Sequence, residues 1–355
     1  MRKIKFFEAI KEGQTQLMLK DKNIIIMGLG VNDPKGIFGT TKNLNKIFGN
    51  KRILETPTSE NALTGIAIGA AIEGLRPILT HQRVEFSLLS MEQIINQAAK
   101  WYFLSGGKYK VPIVIRLIIG KGWGQGPQHS QSLETLFAHI PGLKVVAPSN
   151  AFDAKGLLIS SVKDNHPVIF FEHRWLHNTE DFVPKKIYSI KLGKAKIIKK
   201  GKDLTIVSFS ETILQILRLK NFLQKIGISV EIIDLRTIRP LDKTTILKSV
   251  KKTKRLLVLD NGWKSFGISS EIISLVSENL LRSLKAEPIR LGLRETPIPS
   301  SRALAKYSYL NLNEILLSIL KLTQRKINKK VKDKFLLKLT PVETDVPYKD
   351  FKGPF

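Results

Sequence analysis

Glu60 is the side chain whose setting best suits acid–base chemistry. It lies in ETPTSENALTGIAIGAAIEGL, where a loop leads into a helix rich in glycine and alanine. A carboxyl group buried at such a point can have its pKa raised, and it can then hold or transfer a proton. The same pattern also describes an ordinary helix start, with Thr58 or Ser59 as the cap and Glu60 compensating the helix dipole. The pattern alone favours this structural role.

His129 is the second candidate, in the glycine-rich stretch GKGWGQGPQHSQS. A loop of this kind can bring backbone close to a ligand, and an imidazole can transfer protons near neutral pH. A single loop histidine is nevertheless more often incidental than catalytic. The segment HQRVEF, residues 81–86, follows a predicted strand, where open α/β sheets place ligands; the alternative is a simple strand-end turn.

Several common catalytic signatures are absent from the sequence. The chain has no cysteine, which excludes disulfides, cysteine-based zinc sites and a thiol nucleophile. It also has no GxxxxGK[ST], HExxH or GxSxG string, the usual marks of P-loop, zinc-protease and α/β-hydrolase chemistry. The GLG at residues 28–30 lacks the third glycine of a dinucleotide fingerprint.

The elements that must position these residues alternate between strand and helix. The N-terminal segment predicts a first helix and shows no targeting signal. Apolar runs predict strands at 23–27, 77–80, 111–117, 143–146 and 168–171, and helical patterns fall at 62–75, 91–103 and 151–162. This alternation indicates a mostly parallel sheet covered on both faces.

A second alternation follows an irregular, lysine-rich stretch. We expect a first domain at 1–180, a linker at 181–201, a second domain at 202–326, and an extended or disordered tail at 327–355. Strands are predicted at 204–208, 230–233, 256–259 and 289–291, with a last helix at 313–322. The length of 355 residues suits two such domains.

The charge of the chain is strongly basic, with a net value of +28. The excess is spread along the sequence and is mostly lysine, whereas nucleic-acid readers usually cluster arginine with aromatic residues. We therefore expect solvated faces and no nucleic-acid partner; the exception is the run 321–338, with eight basic residues and one acidic one. No apolar run has the roughly 18 residues of a membrane span, so we expect a cytoplasmic protein without a membrane partner.

Five strings in a fixed order resemble one protein family. They are TPTSENALTGIAIGAAIEGLRPI, MEQIINQAAKWYFLSGGKYKVPIVIR, GPQHSQSLETLFAHIPGLKVVAPSNAFDAKGLL, DLRTIRPLD and DNGWKSFGISSEI. Together they resemble the beta subunit of the thiamine-diphosphate-dependent decarboxylating component of 2-oxo acid dehydrogenases, of the pyruvate dehydrogenase type. The resemblance covers roughly residues 4–325 and implies an α/β fold of two doubly wound domains. These are a transketolase-like pyrimidine-binding domain and a transketolase C-terminal-like domain.

The resemblance assigns roles to individual residues. Glu60 matches the glutamate that hydrogen-bonds N1′ of the cofactor's aminopyrimidine, and Phe86 the aromatic residue that packs against that ring. His129 matches a histidine that acts in acyl transfer to lipoate. Thr58 falls where the family has an aliphatic residue near the pyrimidine. A loop that often holds a structural potassium ion corresponds to Ile113, Ser161, Asp164 and His166.

The resemblance also implies partners. The Mg²⁺–diphosphate half of such sites uses a GDG signature, which this chain lacks. An alpha subunit would therefore hold Mg²⁺ and the diphosphate in an α₂β₂ heterotetramer, and a lipoyl acyltransferase core would accept the acyl group. HQRVEF and RLIIGKGWGQG depart from the family pattern near the expected substrate entrance, which leaves the 2-oxo acid open.

Two alternatives stand beside this hypothesis. The chain could be half of a split transketolase or an acyloin-forming synthase, in which Glu60 would serve equally. It could also be a non-catalytic basic binding module that keeps the fold, which predicts nucleic-acid retention that falls steeply with salt.

Overall fold

The structure is a computed structural model, and it describes residues 2–121 and 124–339. The first part of the chain forms these strands: β1 (Arg2–Lys5), β2 (Ile24–Gly28), β3 (Ile53–Glu55), β4 (Arg76–His81), β5 (Val114–Ile119), β6 (Lys144–Val146), β7 (Val168–His173) and β8 (Glu180–Val183). Its helices are α1 (Phe6–Lys20), α2 (Leu44–Phe48), α3 (Glu60–Ile72), α4 (Ala99–Leu104), α5 (Glu134–Ala138) and α6 (Ala151–Lys163). Short 3₁₀ turns cover Val84–Ser90 and Arg174–Leu176, and a π-helical segment covers Gln93–Ala98.

The second part of the chain repeats the alternation. Its strands are β9 (Lys196–Lys199), β10 (Leu204–Ser208), β11 (Val230–Asp234), β12 (Thr237–Arg239), β13 (Leu256–Trp263) and β14 (Ile289–Leu293). Its helices are α7 (Glu211–Lys225), α8 (Lys243–Thr253), α9 (Ile268–Leu280), α10 (Arg302–Ser308), α11 (Leu312–Thr323) and α12 (Lys329–Leu339), with a 3₁₀ turn at Leu281–Ser283.

Two mostly parallel sheets organise the molecule. The larger sheet has seven strands in the order β12-β6-β7-β5-β4-β2-β3, and the smaller has five in the order β14-β13-β10-β11-β9. Within these two sheets, as far as the chain is described, the edge strands β12 and β9 run antiparallel to their neighbours and the other strands run parallel. Burial on both faces explains why β2, β5 and β7 are mostly apolar with little alternation; the exceptions include Arg116 of β5 and Glu172 of β7.

Helices cover both faces of the larger sheet. Phe6 and Ile10 of α1 and Leu158 of α6 pack on one face, together with Ile26 and Phe170 from the strands. The opposite face buries residues of α3 and β13 in a core that continues into the second sheet. Burial of this kind is the main source of stability of an α/β fold, at about 25 cal/mol for each Å² of apolar surface.

The edge strand β12 links the two halves of the chain. It belongs to the second half by sequence but pairs with β6 in the first sheet. Arg236 beside it is ion-paired with Asp153 of α6 at 2.5 Å. The halves are therefore joined by strand pairing and a buried ion pair, and not by a linker alone.

Three sequence expectations need correction. The N-terminal segment starts with a strand, β1, which pairs with β8, before α1 begins at Phe6. The region 181–201, expected to be irregular, contains most of β8 and all of β9. These three short strands are stabilised by pairing with distant segments, which periodicity in the sequence does not reveal.

The tail is the third correction. Within 327–355 the chain forms α12, so this part is neither extended nor disordered; residues 340–355 lie outside the described residues. Phe335 stacks on Phe222 of α7 with ring centroids 4.0 Å apart, and Leu336 is buried in the core of the second sheet. These two apolar contacts hold a lysine-rich segment as a helix. No helix in the described part of the chain combines the length and apolarity needed to cross a membrane.

Candidate active site

Glu60 lies in the first turn of α3, as the sequence predicted. Ser59 occupies the cap position, but its side chain makes no capping hydrogen bond. The Glu60 side chain is partly buried and lines a pocket. A carboxylate at a helix N-terminus is favoured by the helix dipole, and here it also faces a cavity.

The pocket lies at the carboxyl ends of β2 and β4, where open α/β sheets bind ligands. The cavity itself has a volume of about 20 Å³, and the wider cleft around it, which is open to solvent, contains about 330 Å³. Its lining combines the Glu60 carboxylate with apolar and aromatic walls and is formed by Gly28, Leu29, Thr56, Pro57, Glu60, Leu63, Leu79, Thr80, His81, Gln82 and Phe86. One carboxylate among apolar walls suits a flat ring that carries a hydrogen-bonding nitrogen.

The end of β2 approaches β4 so closely that residue 28 must be glycine. Gly28 has a φ of +156°, and a Cβ there would lie 2.7 Å from the Thr80 carbonyl oxygen. The following loop is held by the Glu55 carboxylate, which accepts hydrogen bonds from the backbone N–H groups of Gly30 and Asn32, the latter at 2.8 Å. The Gln82 amide donates to the Leu29 carbonyl at 2.8 Å. These contacts fix one wall of the pocket.

A buried arginine supports the same wall from beneath. Arg116 of β5 is fully buried and forms a two-pronged pair with Glu172 of β7, at 2.5 and 2.9 Å. Its remaining N–H groups donate to Gln14 at 3.1 Å, Thr40 at 2.9 Å and Thr80 at 3.3 Å. Because Thr80 lines the pocket, the network ties the pocket wall to α1 and to the centre of the sheet.

Phe86 and His129 lie together at the side of this pocket. Their rings meet edge to face, with centroids 5.6 Å apart. Nδ1 of His129 is inaccessible to solvent and has no hydrogen-bond partner among the described residues. The Gln131 N–H donates to the Glu85 carboxylate at 3.0 Å, which ties the His129 loop to the turn that carries Phe86. The structure therefore brings Glu60, Phe86 and His129 to one site.

His81 adds a neutral polar group to the pocket. Burial lowers the pKa of its imidazole to about 4, so the ring carries no charge at pH 7. Its Nε2 atom has no hydrogen-bond partner in the described part of the chain. A pocket-lining imidazole with an unused nitrogen can take a hydrogen bond from a ligand without placing a charge beside it.

Thr58 does not line the pocket. Its side chain is exposed, and its neighbours Thr56 and Pro57 supply that stretch of the wall instead. The predicted contact of Thr58 with a pyrimidine ring has no counterpart in the geometry.

Two domain families match this chain in sequence. "Transketolase, pyrimidine binding domain" matches residues 2–179, and "Transketolase, C-terminal domain" matches residues 193–315. The pyruvate dehydrogenase E1 component subunit beta of Porphyra purpurea is 39% identical over 316 residues, or 89% of this chain and 96% of the relative. That of Rickettsia conorii is 40% identical over 292 residues, or 82% and 90% of the two chains.

This chain belongs to the family of pyruvate dehydrogenase E1 beta subunits. A further relative is the acetoin:2,6-dichlorophenolindophenol oxidoreductase subunit beta of Cupriavidus necator, 42% identical over 313 residues, or 85% of this chain and 92% of the relative. Among solved structures, a split gene transketolase (inactive beta4 tetramer) superposes with a TM-score of 0.73 and 18% identity, covering 90% of this chain and 98% of that one; this likeness concerns the fold alone. The resemblance and the two-domain α/β fold predicted from the sequence are confirmed.

Three of the residues expected around a potassium ion lie within six positions of one another, and Ile113 is joined to that stretch by a hydrogen bond from the Val168 N–H. Ile113 precedes β5, Ser161 and Asp164 lie at the end of α6, and His166 precedes β7. Three of these residues have a carbonyl oxygen that already accepts a hydrogen bond. The donors are the Val168 N–H to Ile113, the Asp164 N–H to Ser161, and the Arg76 guanidinium group to Asp164. Each carbonyl keeps a second lone pair, and oxygen donors suit a hard cation, so the donor set fits potassium. Among the described residues, no group of three or more His, Asp or Glu side chains could hold a metal ion.

Sequence analysis missed a set of buried charged residues beyond the pocket. Arg83, Lys121 and Arg174 come within two residues of the ends of β4, β5 and β7, and all three are buried. Lys121 is paired with Glu211 of α7 at 3.3 Å. The one available signal was position, because each residue stands just after a predicted strand, at the ligand-binding edge of the sheet.

Proposed function

We propose that the chain is the beta subunit of a thiamine-diphosphate-dependent 2-oxo acid dehydrogenase of the pyruvate dehydrogenase type. The observation that carries the proposal is that Glu60 and Phe86 line one pocket at the strand ends and that the His129 ring packs against Phe86. The three residues come from separate segments of the chain, so the sequence pattern alone did not guarantee that they meet. Family membership supplies the reaction class, oxidative decarboxylation with acyl transfer to a lipoyl group.

Glu60, Phe86 and His129 have different roles in the proposed reaction. Thiamine diphosphate, when bound, supplies the carbon nucleophile and the electron sink for decarboxylation. Glu60 would hold a proton between its carboxyl oxygen and the pyrimidine nitrogen of the bound cofactor. Phe86 packs against the pyrimidine ring and sets its position, and His129 protonates the departing lipoyl sulfur during acyl transfer.

We assign the Mg²⁺–diphosphate half of the site to an alpha subunit in an α₂β₂ assembly. Large apolar side chains on α3, α4 and the turn after β4 support an interface close to the pocket. Phe103 is 85% exposed, Leu104 72%, Leu89 65% and Ile66 59%. Exposed apolar groups of this size usually mark a contact surface. A lipoyl acyltransferase core would be the third partner.

The test is co-expression of this chain with an alpha subunit from the same source. We expect turnover of 2-oxo acids with an artificial electron acceptor that requires thiamine diphosphate, Mg²⁺ and both chains. Omission of each component is the control. A stable complex without cofactor-dependent turnover would contradict the proposal.

Acetoin cleavage is the second candidate function. It is supported by the 42% identity to the subunit of an acetoin oxidoreductase, and the same Glu60 and Phe86 would serve that reaction. Including acetoin in the assay separates the two functions. Turnover of acetoin with none of the 2-oxo acids would favour this candidate.

A structural potassium ion and a cytoplasmic location complete the proposal. The carbonyl groups around Asp164 support the ion, and we expect the complex to melt at higher temperature in potassium chloride than in tetramethylammonium chloride of equal ionic strength. Equal melting temperatures would contradict the potassium site.

A chain without cysteine fits a reducing compartment, and a fluorescent fusion tests the location.

A further inference from the structure

The loop that carries the proposed acyl-transfer histidine is packed against the second domain at both of its ends. We call residues 124–133 the acyl-transfer loop. Near its start, a Cβ on Gly126 would collide with the hydroxyl group of Ser300, so these two segments are in close contact. At its end, a Cβ on Gly262 of β13 would lie only 3.0 Å from the Ser132 carbonyl oxygen. The position of the loop therefore depends on contacts from outside its own domain.

A buried carboxyl group that the proposed mechanism does not use follows this loop. Glu134 is the first residue of α5, and only 2% of its surface is exposed. Its Oε1 atom has no hydrogen-bond partner among the described residues. Asp260 of β13 is also 2% exposed, and its charge acts on Glu134. Two buried carboxyl groups thus lie near each other where the loop meets the second domain.

The cation in this cluster is already compensated. The charged groups that influence Glu134 are Asp260 and Lys121. Lys121 is ion-paired with Glu211 of α7 at 3.3 Å, and both side chains are buried. One ammonium group cannot neutralise three carboxylates. Glu134 and Asp260 would therefore be two neighbouring, uncompensated buried charges if both were ionised, which is strongly unfavourable.

Hydrogen-bond donors decide which of the two carboxyl groups holds a proton. The backbone N–H groups of Gly262 and Ser269 donate to the two oxygens of Asp260, at 3.1 and 2.9 Å. Such donors stabilise the charged form of a carboxyl group. Glu134 has no donor at Oε1, and burial, together with the charge of Asp260, raises its pKa to about 8. Glu134 is therefore mostly uncharged at pH 7.

We propose that Glu134 is a positioning residue for acyl transfer: its uncharged carboxyl group lets the acyl-transfer loop dock on β13, and ionisation beside Asp260 releases the loop. The inference rests on the proposed function, which assigns the acyl-transfer step to His129. The ring of His129 packs against Phe86 with centroids 5.6 Å apart. A loop that leaves β13 would no longer hold the imidazole in this place, although the pyrimidine pocket itself would be unchanged.

Docking of the loop should weaken as the pH rises. In an undocked, solvated loop the pKa of Glu134 would be about 4.3. In the docked loop burial raises it to about 8, so docking requires a bound proton between these two values. The docking constant therefore falls about tenfold for each pH unit up to about pH 8. Glu85, which holds the loop through the Gln131 N–H, is a second buried acid with a raised pKa, so the contribution of Glu134 is isolated by variants that keep Glu85.

The first experiment is hydrogen–deuterium exchange of the acyl-transfer loop in the co-expressed complex, corrected for the intrinsic pH dependence of exchange. Amide protection in the wild type should fall about 30-fold between pH 6.5 and 8. Glu134→Gln keeps the shape of the uncharged side chain, and its protection should change little over this range. Asp260→Asn removes the neighbouring charge and should reduce the fall. Glu287→Gln, at an exposed position of the second domain, is the matched control and should behave as the wild type.

The second experiment compares acyl transfer to lipoate with turnover of an artificial electron acceptor, which does not need the loop histidine. The ratio of the two rates should fall from pH 6.5 to 8.5 in the wild type, because the docked fraction falls. In Glu134→Gln the ratio should stay within about twofold, since an amide does not ionise. Melting curves of both proteins at pH 7 show whether the variant is folded.

The outcomes separate the inference from the proposed function. The same decrease of protection with pH in the wild type and in Glu134→Gln would overturn the role of Glu134 and leave the proposed function intact. Loss of protection at every pH in a folded Glu134→Gln would also overturn it, since the residue would then act independently of its charge. Protection that depends on Glu134, in a complex without cofactor-dependent turnover of any 2-oxo acid, would overturn the proposed function and keep the docking of the loop.

Discussion

Replacing Arg116 with methionine should destabilise the molecule strongly, although Arg116 does not line the pocket. Methionine keeps much of the length of the side chain but removes every N–H group. Glu172 would then be a fully buried carboxylate whose remaining neighbour is the neutral imidazole of His177. The Thr80 hydroxyl, on the wall of the cofactor pocket, would lose its donor at the same time.

The magnitude follows from the burial of both partners. Removing one member of a buried ion pair costs about 3–5 kcal/mol, because the other charge is left uncompensated. For a domain of 150–250 residues, each kcal/mol lowers the melting temperature by about 2–4 °C. We therefore expect a decrease of about 6–20 °C in Arg116→Met.

The effect should also depend on pH. Burial by itself would raise the pKa of Glu172, but Arg116 and His177 outweigh it and hold that pKa at about 2. Because this is below the value of about 4.3 in an unfolded chain, the pair contributes stability above that pH and loses it as the pH falls toward 2. Without Arg116, burial raises the pKa of Glu172, which can then become neutral in mild acid. The difference between the wild type and the variant should therefore be largest near pH 7 and smaller at pH 5.

Circular dichroism melts at the two pH values measure both effects. Arg294→Met is the matched control: Arg294 is ion-paired with Glu314 at the surface, with 60% of its side chain exposed. Such a pair contributes about 0–1 kcal/mol, so this variant should melt close to the wild type. A loss below about 1 kcal/mol in Arg116→Met, or a difference that does not change with pH, would refute the reasoning from burial.

Further predictions concern the site and the second domain. Glu60→Gln should abolish cofactor-dependent turnover while the complex with the alpha subunit still forms; full activity would contradict the role of Glu60. His129→Ala should reduce acyl transfer to lipoate more than decarboxylation with an artificial acceptor, and equal losses would indicate general positioning. Phe335→Ala should lower the free energy of unfolding of the second domain by about 3 kcal/mol, the low end of the range for a buried phenylalanine, because part of the ring is exposed. Urea unfolding measures this change. Asp234→Asn should flatten the pH dependence of stability: burial and Asp153 raise the pKa of Asp234 to about 7, so wild-type stability falls as pH rises from about 4 to 7.

The strands of the sheets and the helices on them were predictable because each segment has the apolar pattern of a strand or a helix in its own sequence. The run at 23–27 became β2 at Ile24–Gly28, and the helical pattern at 313–322 became α11 at Leu312–Thr323. Strands buried on both faces must be apolar throughout, and helices on a sheet must be apolar on one side, whatever the rest of the chain does. The segments held by contacts with distant parts of the chain, β1, β9 and α12, gave no such signal and were therefore missed.

For the candidate site, too, some features follow from the sequence and others only from the tertiary structure. The sequence by itself determined the residue types and the family: a glutamate at a helix start, an aromatic residue after a strand, and a histidine in a glycine-rich loop. Only the tertiary structure decided that Phe86 meets His129, that Thr58 does not line the pocket, and that Arg83 is buried beside Gly120. The physical reason is that the carboxyl ends of parallel strands gather residues far apart in sequence at one edge of the sheet, and burial there sets their charges and partners.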